Sequence, residues 1–148
     1  MSRQLALGGQ PVLVAHWAEA LEVAGQHARL NRLLLVEPPL DTEPLLALVR
    51  EAVRRGCALI VVLGQGAEAV HRAVDAAADQ ASLPGRVVAT SWHDPGSDPR
   101  APVDAFSLFS DWVGGSEGVP LLVTEDVGLD AILDAARVHH ARMLQGEL

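Results

Sequence analysis

Short apolar runs alternate along this chain with longer stretches in which apolar residues recur at helical spacing. The apolar runs predict strands at residues 11–15, 33–37, 58–63, 86–91 and 121–124. The longer stretches predict helices at residues 17–30, 42–55, 66–81, 101–113 and 126–144. Because a helix separates each strand from the next, we predict an α/β fold in three layers. Its mainly parallel five-stranded sheet carries helices on both faces, as in flavodoxin-like and Rossmann-like proteins.

The pattern predicts a single α/β domain over residues 1–148, in which residues 1–10 form a short N-terminal arm. For a sheet of this size we expect the flavodoxin-like strand order 2-1-3-4-5. The first strand and helix have the weakest pattern, so a four-stranded core with an extra N-terminal layer is the alternative. In that helix the spacing predicts one inward face, formed by Trp17, Leu21, Ala24 and Ala28.

The clearest structural unit is the strand at 58–63, followed by Gly64, Gln65 and Gly66 at the start of the next helix. Gly64-x-Gly66-x-x-Ala69 matches the dinucleotide-binding pattern, in which backbone N–H groups hold a phosphate at a helix N-terminus. However, the motif follows the third predicted strand rather than the first, and no acidic residue ends the next strand. A tight strand-to-helix turn is therefore the favoured interpretation, and these three residues are candidate ligand-binding residues.

A second candidate site is the loop from Ser91 to Asp98, which leaves the carboxyl end of a predicted strand, where parallel sheets bind ligands. In this loop His93 and Asp94 can form an acid–base pair or provide two metal ligands. A metal would need a third ligand from another strand end, such as Glu37, Glu125 or Asp126. Neighbouring residues in an extended segment point in opposite directions, and Asp94 before proline and glycine is typical of a turn. We therefore keep Ser91, His93 and Asp94 as candidate ligand-binding residues and assign no metal.

The composition excludes several classes of function. The 148 residues include neither lysine nor tyrosine, and the net charge is −8. Binding to nucleic acid or to an anionic membrane surface is disfavoured, because both require clustered cations. Schiff-base chemistry and a P-loop are excluded because both require lysine. We assign no cofactor, and we expect a cytoplasmic protein because no apolar run is long enough for a membrane span or a signal peptide.

Cys57, the His71–Asp75 pair and His16 are weaker candidates for functional residues. Cys57 is the only cysteine, which excludes an internal disulfide, and its place at the start of a strand predicts a buried, inert thiol. His71 and Asp75 lie four residues apart, which is typical of an ordinary solvated helix face. His16 ends the first predicted strand and is therefore close to the expected ligand cleft.

Several short motifs lie between Leu33 and Trp112. They are Pro38-Pro39, Gly56-Cys57, Gly64, Val70-His71, Asp75 and Trp92-His93-Asp94. On these residues the chain resembles an uncharacterised family of small bacterial α/β domains with a Trp-His-Asp motif at a strand end. The resemblance implies the fold and no reaction. It also draws attention to His71, Asp75, His93 and Asp94 as a shared surface.

The absence of a complete catalytic set, together with the acidic charge, favours a non-catalytic bacterial binding module. We expect it to engage a protein partner, as an accessory or immunity-type factor does, with Phe106, Phe109 and Trp112 as candidate interface aromatics. The alternative is a small-molecule-binding protein or a hydrolase. It would bind a nucleotide or phosphate ester between Gly64–Gly66 and Ser91–Asp98. Under either hypothesis, self-association into a homodimer through an edge strand or the last helix stays open.

Overall fold

The structure is a computed structural model, and it describes most of the chain. The described residues are 3–7, 10–38, 42–64, 67–81, 88–93 and 118–125, with residues 132, 134, 135, 137, 138, 141, 142, 145 and 146. The predicted helix at 101–113, with Phe106 and Phe109, lies outside them, as do Trp112, Gln65, Gly66 and Asp94.

The elements alternate as the hydrophobic pattern predicts, after one additional strand at the start. In chain order they are β1 Arg3–Leu7, β2 Gln10–Ala15, a 3-10 turn Trp17–Glu19, α1 Ala20–Gly25, β3 Leu30–Val36, α2 Thr42–Arg54, β4 Leu59–Leu63, α3 Ala67–Ala81, β5 Ala89–His93 and β6 Val119–Val123. Residues 132, 134, 135, 137, 138, 141 and 142 are also helical. None of the helices that these residues form is both long and apolar enough to span a bilayer.

The six strands form one sheet in the order β1-β2-β6-β3-β4-β5. β2, β6, β3, β4 and β5 pair in parallel, which confirms the predicted α/β class with a five-stranded parallel sheet. The expected order 2-1-3-4-5 is wrong, because β6 lies between β2 and β3 instead of at an edge. The apolar runs did not reveal this, since strands that are buried on both faces carry no pattern that distinguishes one neighbour from another.

Helices cover both faces of the sheet, as predicted. On one face α1, α2 and α3 pack against alternate strand residues, including Leu33, Leu35, Ile60 and Val62. The connections from β2 to β3, β4 and β5 all step across the sheet in one direction, so a constant crossover hand places their helices on the same face. The opposite face, with Leu34 and Val61, packs against Ile132 and Ala135 of the last helical stretch.

The start of the chain departs from the prediction in two ways. The expected arm at residues 1–10 contains β1, which pairs antiparallel with β2 and extends the sheet at that edge. The expected helix at 17–30 is a 3-10 turn followed by a short α-helix, Ala20–Gly25. The change from three to 3.6 residues per turn rotates the helix phase. As a result Val23 is buried and Leu21, predicted to face inward, is 47% exposed.

β3 contains a buried charge that the hydrophobic pattern hid. Arg32 is 1% exposed in the middle of the apolar strand. Its register with β6 shifts between Leu30 and Arg32, and the side chain of Asn31 donates to the Gly118 carbonyl over 3.2 Å at this irregularity. Cys57 is buried as predicted, and burial raises the pKa of its thiol to about 12, so the thiol is unreactive near neutral pH.

Candidate functional site

The carboxyl ends of the five parallel strands meet along one edge of the sheet, and parallel α/β sheets bind ligands at such an edge. We call it the carboxyl edge. The residues at or just beyond the strand ends are, across the sheet, His16, Glu125, Glu37, Gly64 and His93. Two histidines and two carboxylates therefore lie in one row with a single glycine.

Gly64 and Glu37 are packed tightly together near the middle of this row. The Glu37 N–H donates to the Leu63 carbonyl over 2.7 Å, and the Gly64 N–H donates to the His93 carbonyl over 3.0 Å. A Cβ atom on Gly64 would lie 3.0 Å from the Glu37 Cα atom. Close approach of the two backbones is therefore a sufficient reason for glycine at position 64.

The Glu37 carboxylate argues against a phosphate bound at this turn. Its Oε2 atom lies 3.0 Å from the place that a Cβ on Gly64 would take. A carboxylate there repels an anion bound by the same turn. The other two candidates of the turn, Gln65 and Gly66, lie outside the described residues. The described part of the turn favours the tight strand-to-helix connection over the dinucleotide site.

Ser91 and His93 lie two residues apart on β5 and share one face of the strand. The Ser91 Oγ atom is 3.5 Å from His93 Nε2. Burial lowers the pKa of the His93 imidazole, so the ring is neutral near pH 7 and can accept a proton. The hydrogen bond from Gly64 to the His93 carbonyl brings the two candidate segments to one edge of the sheet. Asp94 lies outside the described residues.

The backbone of β5 has one side bonded to β4 and one side turned outward. The Ala89 N–H donates to the Ala58 carbonyl over 2.9 Å, and the His93 carbonyl accepts from Gly64. Because backbone groups alternate along a parallel strand, residues 89, 91 and 93 bond to β4. The N–H and C=O groups of Thr90 and Trp92 therefore point away from the sheet. Among the described residues, no strand pairs with this outer side.

Thr90 connects β5 to α3 through a hydrogen-bond network. Its hydroxyl donates to Asp75 Oδ1 over 2.5 Å, and its Oγ1 atom lies 2.7 Å from His71 Nε2. His71 and Asp75 are also within ion-pair distance, 3.6 Å from Nε2 to Oδ2. The expectation of an ordinary solvated helix face is therefore wrong for His71, which is largely buried against the strand. Glu68 and Arg72 do form the exposed pair that the spacing predicts, at 3.2 Å.

The two pairs of residues in the suggested shared surface separate in the fold. Thr90 aligns with Ile60, which faces α2 and α3, so His71 and Asp75 lie on that side of the sheet. His93 aligns with Leu63, which faces the last helical stretch. A one-residue step along a strand reverses the side-chain direction. The sheet itself therefore separates His93 from the His71–Asp75 pair.

The remaining residues of the carboxyl edge pair with each other. His16 Nδ1 lies 3.2 Å from Glu125 Oε2, and Trp17 Nε1 donates to the Val36 carbonyl over 2.9 Å. In the described parts of the chain, no group of three histidine, cysteine, aspartate or glutamate residues has the geometry of a metal site. Asp94 and Asp126, two of the ligands considered for a metal at His93, lie outside the described residues.

The sequence pattern did not indicate the role of Thr90 or the outward edge of β5. It ended the strand at Ser91 and treated Trp92 and His93 as loop, although both belong to β5. One signal was available: a histidine and an aspartate four residues apart on α3, facing a β-branched hydroxyl residue on the following strand. The alternation of strand and helix makes such a contact available, but only the strand register shows which hydroxyl is in reach.

These features define an α/β domain with a parallel sheet, an acidic carboxyl edge and one half-exposed edge strand. Residues 14–109 match a family described as a domain of unknown function, DUF7684. The match covers more than half of the chain, and the protein belongs to this family. Neither the curated proteins nor the solved structures gave a match to this chain. The family match ends before β6, although β6 lies between β2 and β3 in the sheet.

Proposed function

We propose that this protein is a non-catalytic binding module, and that it engages a protein partner through β5 and the adjoining ridge of α3. The observation that carries this proposal is the position of Trp92. It lies on a strand with an outward-facing backbone, and the residue is 38% exposed. Tryptophan is enriched among the residues that contribute most to protein–protein binding, because it buries a large area with few rotatable bonds.

The residues around Trp92 support the proposal that β5 is the binding surface. Each residue of β5 is half-exposed or exposed, whereas β3 and β4 are buried throughout. Thr90 is held in place by Asp75 and His71, so the strand is ordered next to its exposed aromatic side chain. An ordered surface loses little conformational entropy when a partner binds.

The cellular setting is part of the same proposal. The arginine-only cations and the acidic charge are consistent with an accessory or immunity-type factor in a bacterial cytoplasm. Under this proposal the first residue of the Trp92-His93-Asp94 sequence supplies the aromatic anchor.

The test begins with affinity capture from the native host and identification of the captured protein by mass spectrometry. The purified partner is then titrated calorimetrically with the wild type, Trp92→Ala and Leu21→Ala. Leu21 is a matched control, since it is also a large exposed apolar residue but lies on α1. We expect Trp92→Ala to weaken binding by about tenfold or more and Leu21→Ala to leave it unchanged. A partner that binds the Trp92→Ala variant equally well, or no specific partner at all, overturns the proposal.

A second candidate function is favoured by one observation, the 3.5 Å approach of Ser91 Oγ to a neutral His93. A hydroxyl beside a neutral imidazole is the core of a serine nucleophile, and apo enzymes often show this contact somewhat long. Under this second proposal the protein is a small-molecule-binding protein or a hydrolase, with its site between Gly64–Gly66 and Ser91–Asp98. Labelling by a fluorophosphonate probe at Ser91, lost in Ser91→Ala and His93→Gln, supports it. No labelling, with no thermal stabilisation by nucleotides or phosphate esters, counts against it.

A further inference from the structure

We propose that the partner binds as an added β-strand, in which an extended segment carrying arginine or lysine side chains pairs with the outer edge of β5. This inference rests on the protein-binding function proposed above and names the chemistry of its partner. Three properties of the described residues carry it: the backbone groups of the edge, the side chains beside them and the charge of the neighbouring helix.

The backbone of β5 offers a complete set of strand-pairing groups. The N–H and C=O groups of Thr90 and Trp92 point outward, since residues 89 and 93 bond to β4. An extended segment laid along this edge pairs with all four groups, as in other proteins that recognise peptides by strand addition. β5 also lacks proline and charged aspartate, glutamate, lysine or arginine residues, which many edge strands use to prevent pairing.

The side chains next to this edge are suited to an incoming strand. Thr90 and Trp92 align with Ile60 and Val62 and therefore lie on the α3 side of the sheet. Thr90 is fixed by its bonds to α3, while the indole of Trp92 is partly exposed. A side chain of the added strand that faces the same side packs against this indole, because adjacent strands lie about 5 Å apart.

The charge of α3 selects a basic partner. Asp75, on the ridge of α3 that adjoins the strand, contacts β5 directly through the Thr90 hydroxyl. Asp75 is 46% exposed at its side chain and is therefore available to a cation at the edge. Glu68 is offset by Arg72. The exposed Asp75 carboxylate therefore makes this ridge of α3 negative beside the strand, which attracts arginine or lysine side chains.

The same charge argues against a second copy of this chain as the occupant. Each copy has a net charge of −8 and would present its own acidic ridge to the other. Like charges across an interface oppose association. A basic extended segment satisfies the backbone, the indole and the acidic ridge together, whereas a second copy satisfies only the backbone.

The test uses short synthetic peptides as the probe. The first alternates valine with arginine, the second alternates valine with glutamate, and the third repeats the first with N-methyl groups on the amides that would face β5. We expect the arginine peptide to bind, and the other two to bind about tenfold more weakly or worse. In hydrogen exchange followed by NMR, the Thr90 and Trp92 amides should exchange fast in the free protein and gain protection when the arginine peptide binds.

Each other result overturns the inference in an identifiable way. Equal binding of the N-methylated peptide, without new protection at Thr90 and Trp92, excludes strand addition. Equal binding of the glutamate peptide excludes selection of basic side chains, and no binding of the arginine peptide at millimolar concentration excludes both. A dimer in sedimentation experiments that Trp92→Glu dissociates identifies a second copy as the occupant.

The function itself is tested separately from this binding mode. If the captured partner depends on Trp92 but contacts it through a folded surface, so that Thr90 and Trp92 gain no amide protection, only the strand-addition inference fails. If Trp92→Ala leaves partner binding unchanged, the proposed function fails as well.

Discussion

The centre of the sheet and its β5 edge differ sharply in burial. β3 and β4 are buried at every position, and Leu34, Leu35 and Ile60 have no exposed surface. Each residue of β5 keeps part of its surface exposed, and the strand is anchored to α3 by polar hydrogen bonds. Burial of apolar surface dominates stability, while an exposed backbone and an aromatic side chain are what a partner needs. The comparison teaches that stability is concentrated in the centre and that recognition is best sought at the edge.

Removing β6 should have the largest effect on the stability of the centre of the sheet. A chain that ends at residue 117 retains the whole family match but leaves β2 and β3 without the strand between them. It also loses Ile132 and Ala135 from the core of the second face. We expect no cooperative unfolding transition, measured by circular dichroism during heating. A cooperative transition in this shortened chain would show that the matched region folds without its central strand.

Truncating one side chain in each region measures how much the centre and the edge contribute to the free energy of unfolding. Leu122 in β6 is fully buried, so Leu122→Ala should lower the free energy of unfolding by about 3 kcal/mol. Trp92→Ala at the edge should lower it by less than Leu122→Ala does, since 38% of the surface of Trp92 is already in solvent. Urea denaturation measures both changes. Equal losses in the two variants would mean that β5 belongs to the stabilising core.

Two glycine substitutions compare a tight position with an open one. Gly64→Ala places a Cβ atom 3.0 Å from the Glu37 backbone, so we expect a loss of about 2 kcal/mol. Gly25 has no heavy atom within 4 Å of the place for a Cβ, and it lies in α1. Gly25→Ala should therefore stabilise the protein by about 0.5 kcal/mol. A tolerated Gly64→Ala would remove the packing explanation for this glycine, and denaturant unfolding decides between the outcomes.

The pH dependence of stability gives the smallest expected effect at the edge. Burial holds the pKa of His93 in the folded chain below its ordinary value of 6.5. Below pH 6.5 the unfolded chain therefore gains a proton at this residue before the folded chain does, and stability falls as the pH drops. His93→Gln should reduce the slope of unfolding free energy against pH in this range. An unchanged slope, in urea titrations at several pH values, contradicts the burial of this imidazole.

The sequence predicted the elements of the centre better than those at the two edges. The apolar runs at 58–63 and 121–124 and the helical spacing at 66–81 correspond closely to β4, β6 and α3. β1 was missed because residues 1–10 are short and partly polar, and only pairing with β2 makes them a strand. Trp92 and His93 were placed in a loop, because turn residues after them outweighed their own strand propensity.

For the candidate site, the sequence predicted that Gly64 and His93 belong to one edge of the sheet, and the hydrogen bond between them confirms it. It did not predict that the Glu37 carboxylate lies against Gly64, since those residues are on different strands. The sequence also did not predict that His71 and Asp75 lie on one face of the sheet and His93 on the other. Which face a strand residue takes depends on register, and a shift of one residue reverses it.

By itself the sequence determined the α/β class, because alternating apolar runs and amphipathic stretches leave few ways to bury their apolar faces. It also determined the exclusion of lysine chemistry and the acidic charge. Only the tertiary structure decided the insertion of β6 between β2 and β3, the burial of Arg32 and the outward edge of β5. Local pattern specifies which residues seek burial, whereas long-range pairing chooses their neighbours, and that choice made β5 the exposed edge.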